Sequence, residues 1–484
     1  MQNKTPLFDA LKNYHKTEVV SFDVPGHKKR FQNEFSDYIG HKIIELDTNS
    51  MKELDILNNP TGVIREAHQL MAHAYSADEA FFLVNGTTSG IQTMVMSACN
   101  PGDKIILPRN VHKSAINALI LSGATPIYID PEVDETLGIS LGVNIKKIKE
   151  AVIKDPDIKA VFIINPTYYG AVSNLKEIIK FCHKEEIVVL VDEAHGAHFP
   201  FHDNFPENAM VLGADMSAIS IHKTGGSLTQ SSVLLLKNGL INKQRVKRML
   251  NLTQTTSASY LLMTSLDVAR KTLVIEGKEI FTNLLDMISK FREKLNSIQG
   301  IRCFKSILSD KLYNFDETKI GINLHGLGLT GFEGYDILRE KYNIQMELAD
   351  THNILGIASI GDVWEDYQKL IDALEEMAKD HKRDNKGINK TIDFNELESP
   401  ELVVSPRDAF YSETESIPLE KAIGRVSGES IMVYPPGIPL LIQGEKISKD
   451  LIDHIFFLKE QKAVITGMDD KTLNNISILK GEIE

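Results

Sequence analysis

The chain has 484 residues, of which 42% are hydrophobic and 25% charged, and its formal net charge is −13. This balance is typical of a globular protein with a sizeable core, and it excludes a mostly disordered chain. The acidic charge argues against nucleic acid as the main partner, because nucleic acids attract basic surfaces.

The N-terminus and the cysteines indicate a cytoplasmic protein. The opening MQNKTPLFDALKNYHK has no apolar centre and does not read as a signal peptide. No apolar run reaches the roughly 18 residues that a membrane-spanning helix needs. Three widely spaced cysteines, Cys99, Cys182 and Cys303, form no CxxC pair. This pattern favours a reducing compartment over a disulfide framework.

Short apolar runs alternate with helical patterns through the first half of the chain. Continuous Val/Ile/Leu runs separated by helices predict an α/β domain with a mainly parallel sheet. A representative helical pattern is NLKEIIKFCHK (Asn174–Lys184). The predicted strands are FFLV (Phe81–Val84), KIIL (Lys104–Leu107), PIYI (Pro126–Ile129), AVFII (Ala160–Ile164), IVVLVD (Ile187–Asp192), AISI (Ala218–Ile221) and VLLL (Val233–Leu236).

From about Ser265 the pattern changes to mixed strands and helices, which predicts a smaller α+β domain. A polar, charge-mixed stretch (Asp380–Leu397) is typical of a linker, and a third unit with a turn-rich YPPGIP (Tyr434–Pro439) follows it. We therefore predict an N-terminal segment with a large domain over 1–264, a small α+β domain over 265–385 and a C-terminal α+β domain over 386–484.

The segment SAISIHKTGG places Lys223 at the end of an apolar strand, just before Gly225 and Gly226. Lysine is costly to bury, so this placement indicates a function. A desolvated lysine amine loses its proton more readily and can form a Schiff base with an aldehyde. The alternative is a surface lysine at a strand end, and this segment alone favours neither.

In VLVDEAHGAHF, Asp192 ends a strongly apolar strand, at the edge where open α/β sheets bind ligands. A buried carboxylate there needs a cationic partner, which the protonated ring nitrogen of pyridoxal phosphate would supply. The alternative is an N-cap at Asp192 with Glu193 in the first turn of a helix. Capping leaves His195 and His198 unexplained.

Two further loops add weaker signals. In LVNGTTSG, a strand is followed by Gly86, Thr87 and Thr88 before a helix, and such a helix start can bind phosphate or can be an ordinary cap. In LPRNVHKS, His112 follows a strand, and a flat imidazole there could stack on a planar cofactor.

Taken in order, these pieces resemble the large domain of fold-type I pyridoxal-phosphate enzymes, the aspartate aminotransferase-like class. The resemblance narrows to the bacterial ornithine/lysine/arginine decarboxylase family and covers nearly the whole chain. Among short forms without a receiver-like N-terminal domain, the chain most resembles the biosynthetic arginine decarboxylases of Gram-positive bacteria. The supporting motifs are VPGHKKR (Val24–Arg30), PRNVHKS, INPTYYG (Ile164–Gly170), VDEAHGAHF, HKTGGSLTQSS (His222–Ser232), TTSASYLLMTSLDVAR (Thr255–Arg270) and YPPGIP.

The resemblance implies roles at a pyridoxal 5′-phosphate site. Lys223 would form the Schiff base, Asp192 would pair with the pyridine nitrogen, and His195 would lie near the ring and its O3′ oxygen. His112 would stack on the ring. The phosphate would be held by Gly86, Thr87, Thr88, Ser220 and His222. No metal is expected.

The implied reaction is decarboxylation of a basic amino acid, with L-arginine converted to agmatine and CO₂ for polyamine biosynthesis. Lysine and ornithine are alternative substrates. Transamination, aldol cleavage or a non-catalytic binding role on the same fold are the more distant alternatives. Glu429 is the candidate for binding the cationic end of the substrate, its alternative being a solvated surface glutamate.

The resemblance also implies a homodimer or a higher homo-oligomer with the active site at the subunit interface. The neighbouring subunit would supply a hydroxyl from Thr255–Ser257. One departure concerns the family's Asp-Leu-His-x-Pro pattern, in which Asn58 replaces the histidine. If that loop shapes the pocket, substrate choice would differ from that of the relatives.

Overall fold

The computed structural model describes residues 1–17, 19–304, 311–381, 399–434, 438–461 and 463–481. The chain forms two compact units, one of Met1–Ser97 with Val188–Thr282 and one of Ala98–Ile187 with Asn283–Glu484. Most of the predicted linker and the centre of the YPPGIP turn lie outside the described residues. The boundaries predicted near residues 264 and 385 stay predictions.

The first unit is built on strands that are buried along nearly their whole length. Val188–Asp192 runs parallel to Met216–Ile219, with Asp192 opposite Ala218. Met216–Ile219 then pairs antiparallel with Ser232–Leu236, which pairs antiparallel with Glu79–Leu83. The helices that begin in this unit are Pro6–Lys16, Glu34–Ile39, His41–Leu46, Val63–Ala74, Gly86–Ala98, Ala209–Leu212, Ile221–Thr224, Lys243–Thr253 and Tyr260–Ser297.

The second unit contains the parallel strands Lys104–Pro108, Thr125–Ile129 and Ile158–Ile164. Its remaining strands form antiparallel sheets. They are Glu132–Asp134, Ile139–Gly142, Ala171–Val172, Arg302–Cys303, Asn314–Phe315, Lys319–Asn323, Leu348–Ala349, Asn353–Ile357, Thr414–Pro418, Ile431–Tyr434, Ile438–Leu441, Val464–Thr466 and Asn475–Leu479. Its helices are Lys113–Ser122, Ile145–Lys154, Leu175–Lys184, Gly331–Tyr342, Trp364–Asp380, Pro406–Tyr411 and Lys449–Glu460.

Every strand predicted in the first half of the chain is present, with ends shifted by a few residues. The parallel arrangement is correct for most of them but wrong for the two antiparallel pairings of the first unit. The link from Met216–Ile219 to Ser232–Leu236 contains only the one-turn helix Ile221–Thr224, too little to cross over a sheet. Within the described residues, no helix is long and apolar enough to span a membrane.

Candidate active site

Parallel pairing brings the two most informative segments to one edge of the first unit's sheet. Asp192 is the last residue of its strand, and Ser220 follows the neighbouring strand directly. The chain then turns into the short helix Ile221–Thr224, which carries Lys223. Carboxyl ends of parallel strands share an edge, so residues far apart in sequence meet here.

Lys223 and His195 are in direct contact. The Lys223 Nζ atom lies 2.8 Å from His195 Nε2, within hydrogen-bond distance. His195 is buried and Lys223 is half-buried. An imidazole in this position can exchange a proton with the lysine amine, which is the first requirement of acid–base chemistry at that amine.

Asp192 is a buried carboxylate. Only 5% of the residue is exposed, and Oδ1 accepts a hydrogen bond of 3.1 Å from the Ala194 N–H. Burial raises the pKa of Asp192 to about 6, while the Ala194 N–H and the positive charge of Lys223 act in the opposite direction. The carboxylate is therefore mostly ionised at neutral pH, and such a group calls for a cationic ligand.

The helix predicted as the alternative reading of Asp192-Glu193 is absent, since turns follow the strand up to the single 3₁₀ turn Phe199–Phe201. Glu193 is instead fully buried and accepts hydrogen bonds from the Ala209 N–H at 2.9 Å and the Ser217 hydroxyl at 3.0 Å. Burial raises the pKa of Glu193 to about 8. Glu193 thus ties the Asp192–His195 loop to its surroundings.

The glycine at position 196 is explained by steric crowding in the loop. A Cβ on Gly196 would lie 2.8 Å from the Glu193 side chain and 2.9 Å from the Phe199 ring. A side chain at position 196 would therefore force Glu193 and Phe199 to shift, which explains the glycine in this turn.

Three hydroxyls meet beside the start of helix Gly86–Ala98. Thr87 Oγ1 is hydrogen-bonded to Ser220 Oγ and donates to Ser232 Oγ at 2.9 Å. Gly86 has a φ of +73°, and the position of a Cβ there is open for 4 Å around. Clustered hydroxyls beside a helix start are a suitable environment for a phosphate. Ser232 was missed in the sequence because it begins a strand.

Two further predicted phosphate ligands, Thr88 and His222, have different surroundings from the three clustered hydroxyls. Thr88 is exposed at the same helix start. His222 Nδ1 lies 2.8 Å from the Ser231 carbonyl oxygen, so this nitrogen carries the proton and donates. Burial lowers the pKa of His222. His222 therefore favours the neutral form, and it would bind phosphate as a donor only when Nε2 is also protonated.

Two predicted site residues belong to the second unit. His112 caps helix Lys113–Ser122, and its Nδ1 accepts the Ser114 N–H at 3.2 Å. Glu429 is buried, and its two carboxylate oxygens accept the N–H groups of Asp469 at 2.8 Å and Ser477 at 2.9 Å. The alternative reading of Glu429 as a solvated surface residue is thus wrong, while its contact with substrate stays a prediction.

The loop that carries Asn58 borders a different feature. Asn58 lines a small cavity of about 30 Å³ together with Arg65, His68, Glu79 and Lys247, all in the first unit. The cavity's lining does not include Lys223, Asp192 or Thr87. The substrate effect expected of the Asn58 loop stays a prediction.

The donor set of the first unit fits pyridoxal 5′-phosphate. Asp192 is a buried anion suited to a pyridinium nitrogen, Lys223 is an amine suited to an aldehyde, and the Thr87–Ser220 hydroxyls beside Gly86 suit a phosphate. No group of three or more potential metal ligands occurs in the described part of the chain.

Comparisons with known proteins agree with this chemistry. The family profile described as Orn/Lys/Arg decarboxylase, major domain, matches residues 5–320, and that of the C-terminal domain matches residues 390–472. The chain is 46% identical over 483 residues to a Bacillus subtilis protein named arginine decarboxylase, covering 99% of this chain and 98% of that protein. It is 45% identical over 484 residues to the Bacillus anthracis protein of the same name, with the same coverage.

Among solved structures, the Francisella novicida lysine decarboxylase LdcF superposes with a TM-score of 0.84 over 99% of this chain and 81% of that chain. Its sequence identity is 20%, so this likeness concerns the fold alone.

Proposed function

The chain belongs to the Orn/Lys/Arg decarboxylase family, and from that premise we propose that it converts L-arginine to agmatine and CO₂ with pyridoxal 5′-phosphate as cofactor. Family membership and the fold-type I class were both predicted from the motifs, and both are confirmed. Arginine as substrate is supported by the relatives named arginine decarboxylase at 44–46% identity over nearly the full length.

One observation carries the proposal for the site. Lys223 contacts His195, and both follow neighbouring parallel strands together with the buried Asp192. The cofactor, when bound, would supply an electron sink for the electron pair that stays on the substrate's α-carbon when CO₂ leaves. Asp192 would hold a protonated ring nitrogen by charge, and Lys223 would bond through its amine to the cofactor's aldehyde carbon.

The side chains then control protons. His195 Nε2, 2.8 Å from Lys223 Nζ, can take a proton from the amine or return it, so that Lys223 can deliver a proton to the substrate's α-carbon. Thr87, Ser220 and the helix start at Gly86 would fix the phosphate, with Thr88 and His222 as further ligands. This fixes the orientation of the ring, and orientation accounts for much of catalysis.

We further propose a cytoplasmic homodimer or larger homo-oligomer, acting in polyamine biosynthesis, whose active site lies at the subunit interface. Thr255–Ser257 are exposed in the segment between helices Lys243–Thr253 and Tyr260–Ser297, as hydroxyls offered to a second copy would be. His112 is the proposed ring-stacking residue and Glu429 the proposed substrate carboxylate.

The test is incubation of cofactor-loaded protein with L-arginine, L-lysine or L-ornithine, measuring CO₂ and the amine product. Lys223→Ala should abolish both, whereas Lys278→Ala, at an exposed lysine paired with Asp203, should not. Agmatine formed from arginine supports the proposal. Cadaverine or putrescine in its place would transfer the proposal to lysine or ornithine. Absence of CO₂ from all three amino acids would contradict it.

A further inference from the structure

His198 is a buried histidine whose surroundings are mainly aromatic. It is fully buried, and its ring centroid lies 4.5 Å from that of Phe205, 5.0 Å from Phe199 and 5.9 Å from Phe281. A phenylalanine would suit such a cluster without any desolvation cost. A buried imidazole is favourable only if it is hydrogen-bonded, so the position calls for a polar role.

That role is a contact with the residue next to Lys223. His198 Nδ1 lies 3.2 Å from Thr224 Oγ1, and Thr224 is 1% exposed. The neighbouring contact joins His195 to Lys223 at 2.8 Å. Two histidines of one loop therefore hold two successive residues of the short helix Ile221–Thr224.

The short helix needs such support. It has four residues, and its two ends are closed by the bonds from Lys223 N to Ser220 O at 3.2 Å and from Gly225 N to Ile221 O at 2.7 Å. A single turn is not stable by itself, because one or two bonds do not compensate for the backbone order they require. Gly225 and Gly226 follow at once, and Gly226 has a φ of +80°. Tertiary contacts must therefore fix the turn that carries Lys223.

We propose that His198 is a positioning residue for Lys223, acting through its hydrogen bond to the Thr224 hydroxyl. This bond fixes the Lys223 turn against the loop that bears Asp192 and His195. The amine, the imidazole and the carboxylate then keep one mutual geometry, although they come from two separate loops. The inference rests on the proposed function, in which Lys223 binds the cofactor.

Thr224→Val removes the hydroxyl and keeps the shape, and Thr224→Ser keeps the hydroxyl. We expect Thr224→Val to weaken pyridoxal-phosphate binding about five- to tenfold, the usual effect of one lost buried hydrogen bond, and to reduce the absorbance band of lysine-bound cofactor. Thr224→Ser should stay within about twofold of wild type. His198→Asn, whose amide can replace Nδ1, should bind cofactor more tightly than His198→Leu.

The matched control is Phe281→Leu, which loosens the same aromatic cluster without removing a polar group. It should lower the melting temperature of the cofactor-free protein and leave cofactor affinity unchanged. The inference is overturned if Thr224→Val binds cofactor like wild type, or if Phe281→Leu weakens binding equally at the same loss of melting temperature. Wild-type protein that forms no lysine-bound cofactor band would instead overturn the proposed function, and the inference with it.

Discussion

Replacing Asp192 by asparagine should stabilise the cofactor-free protein while removing its ability to hold the cofactor. Burial raises the pKa of this carboxyl from 3.8 to about 6. An acid whose pKa is higher in the folded state destabilises that state wherever the unfolded chain is ionised. The penalty is absent below pH 3.8, grows up to about pH 6, and is complete above it.

The magnitude follows from the size of the shift. A shift of about two pKa units corresponds to roughly 3 kcal/mol. An asparagine side chain at this position would keep the hydrogen bond from the Ala194 N–H, since its amide oxygen can accept in the same place. We therefore expect Asp192→Asn to gain up to about 3 kcal/mol of unfolding free energy at pH 7 and almost none near pH 4. Affinity for pyridoxal phosphate should fall by about 100-fold or more, because a buried cation loses its counter-charge.

The assay is urea unfolding of the cofactor-free variant and wild type at several pH values from 4 to 8, beside cofactor titration at pH 7. Asp55→Asn is the matched control. The pKa of Asp55 is lowered overall. Burial alone would raise this pKa, but hydrogen bonds from the N–H groups of Thr61, Ile56 and Gly62 stabilise the carboxylate and outweigh burial. This substitution should therefore destabilise the protein at pH 7, the opposite sign.

The reasoning about Asp192 is refuted if Asp192→Asn destabilises the cofactor-free protein at pH 7. It is equally refuted if a gain in stability comes with unchanged cofactor affinity, since the carboxylate would then have no cationic ligand to serve.

Burial raises the pKa of Glu193 to about 8. In urea unfolding, Glu193→Gln should therefore stabilise the protein increasingly from pH 4.5 to pH 8, by at most about 5 kcal/mol. A gain in stability that is already complete by pH 6 would contradict this expectation. Arg109 pairs with the fully buried Glu445 through both carboxylate oxygens. Arg109→Met should therefore cost about 3–5 kcal/mol of unfolding free energy, because it leaves a buried charge without a partner. The double variant Arg109→Met with Glu445→Met should recover much of this lost stability. An equal loss in the double variant would show that the ion pair is not the cause. Thr87→Val should weaken cofactor binding about tenfold in a titration. Thr93 is a buried threonine of the same helix, hydrogen-bonded to Thr253, and Thr93→Val should leave cofactor binding unchanged.

The strands of the first half were predictable because buried strands read as continuous apolar runs. The positions of Asp192 and Lys223 near the ends of two of these strands were predictable for a related reason, since both residues interrupt apolar sequence where a polar residue is costly. The direction of the strand Ser232–Leu236 was not predictable, since periodicity is the same for parallel and antiparallel neighbours.

Other parts of the site depend on tertiary contacts. The burial of Glu193 results from Ala209 and Ser217, which come from other elements, so the sequence alone left a helix-turn role open for it. Ser232 joins the hydroxyl cluster only because its strand pairs beside Thr87. The burial of Glu429 could not be predicted from the sequence, because the N–H groups that donate to its carboxylate lie 40 and 48 residues further along the chain.

The most direct test of the account is to identify the lysine that binds the cofactor. Protein loaded with pyridoxal phosphate would be reduced with borohydride, which fixes the cofactor to its lysine, and then digested and analysed by mass spectrometry. The account predicts the label on Lys223, lost in Lys223→Ala and retained in Lys278→Ala. A label on a different lysine, or no label on protein that releases CO₂ from L-arginine, would contradict it.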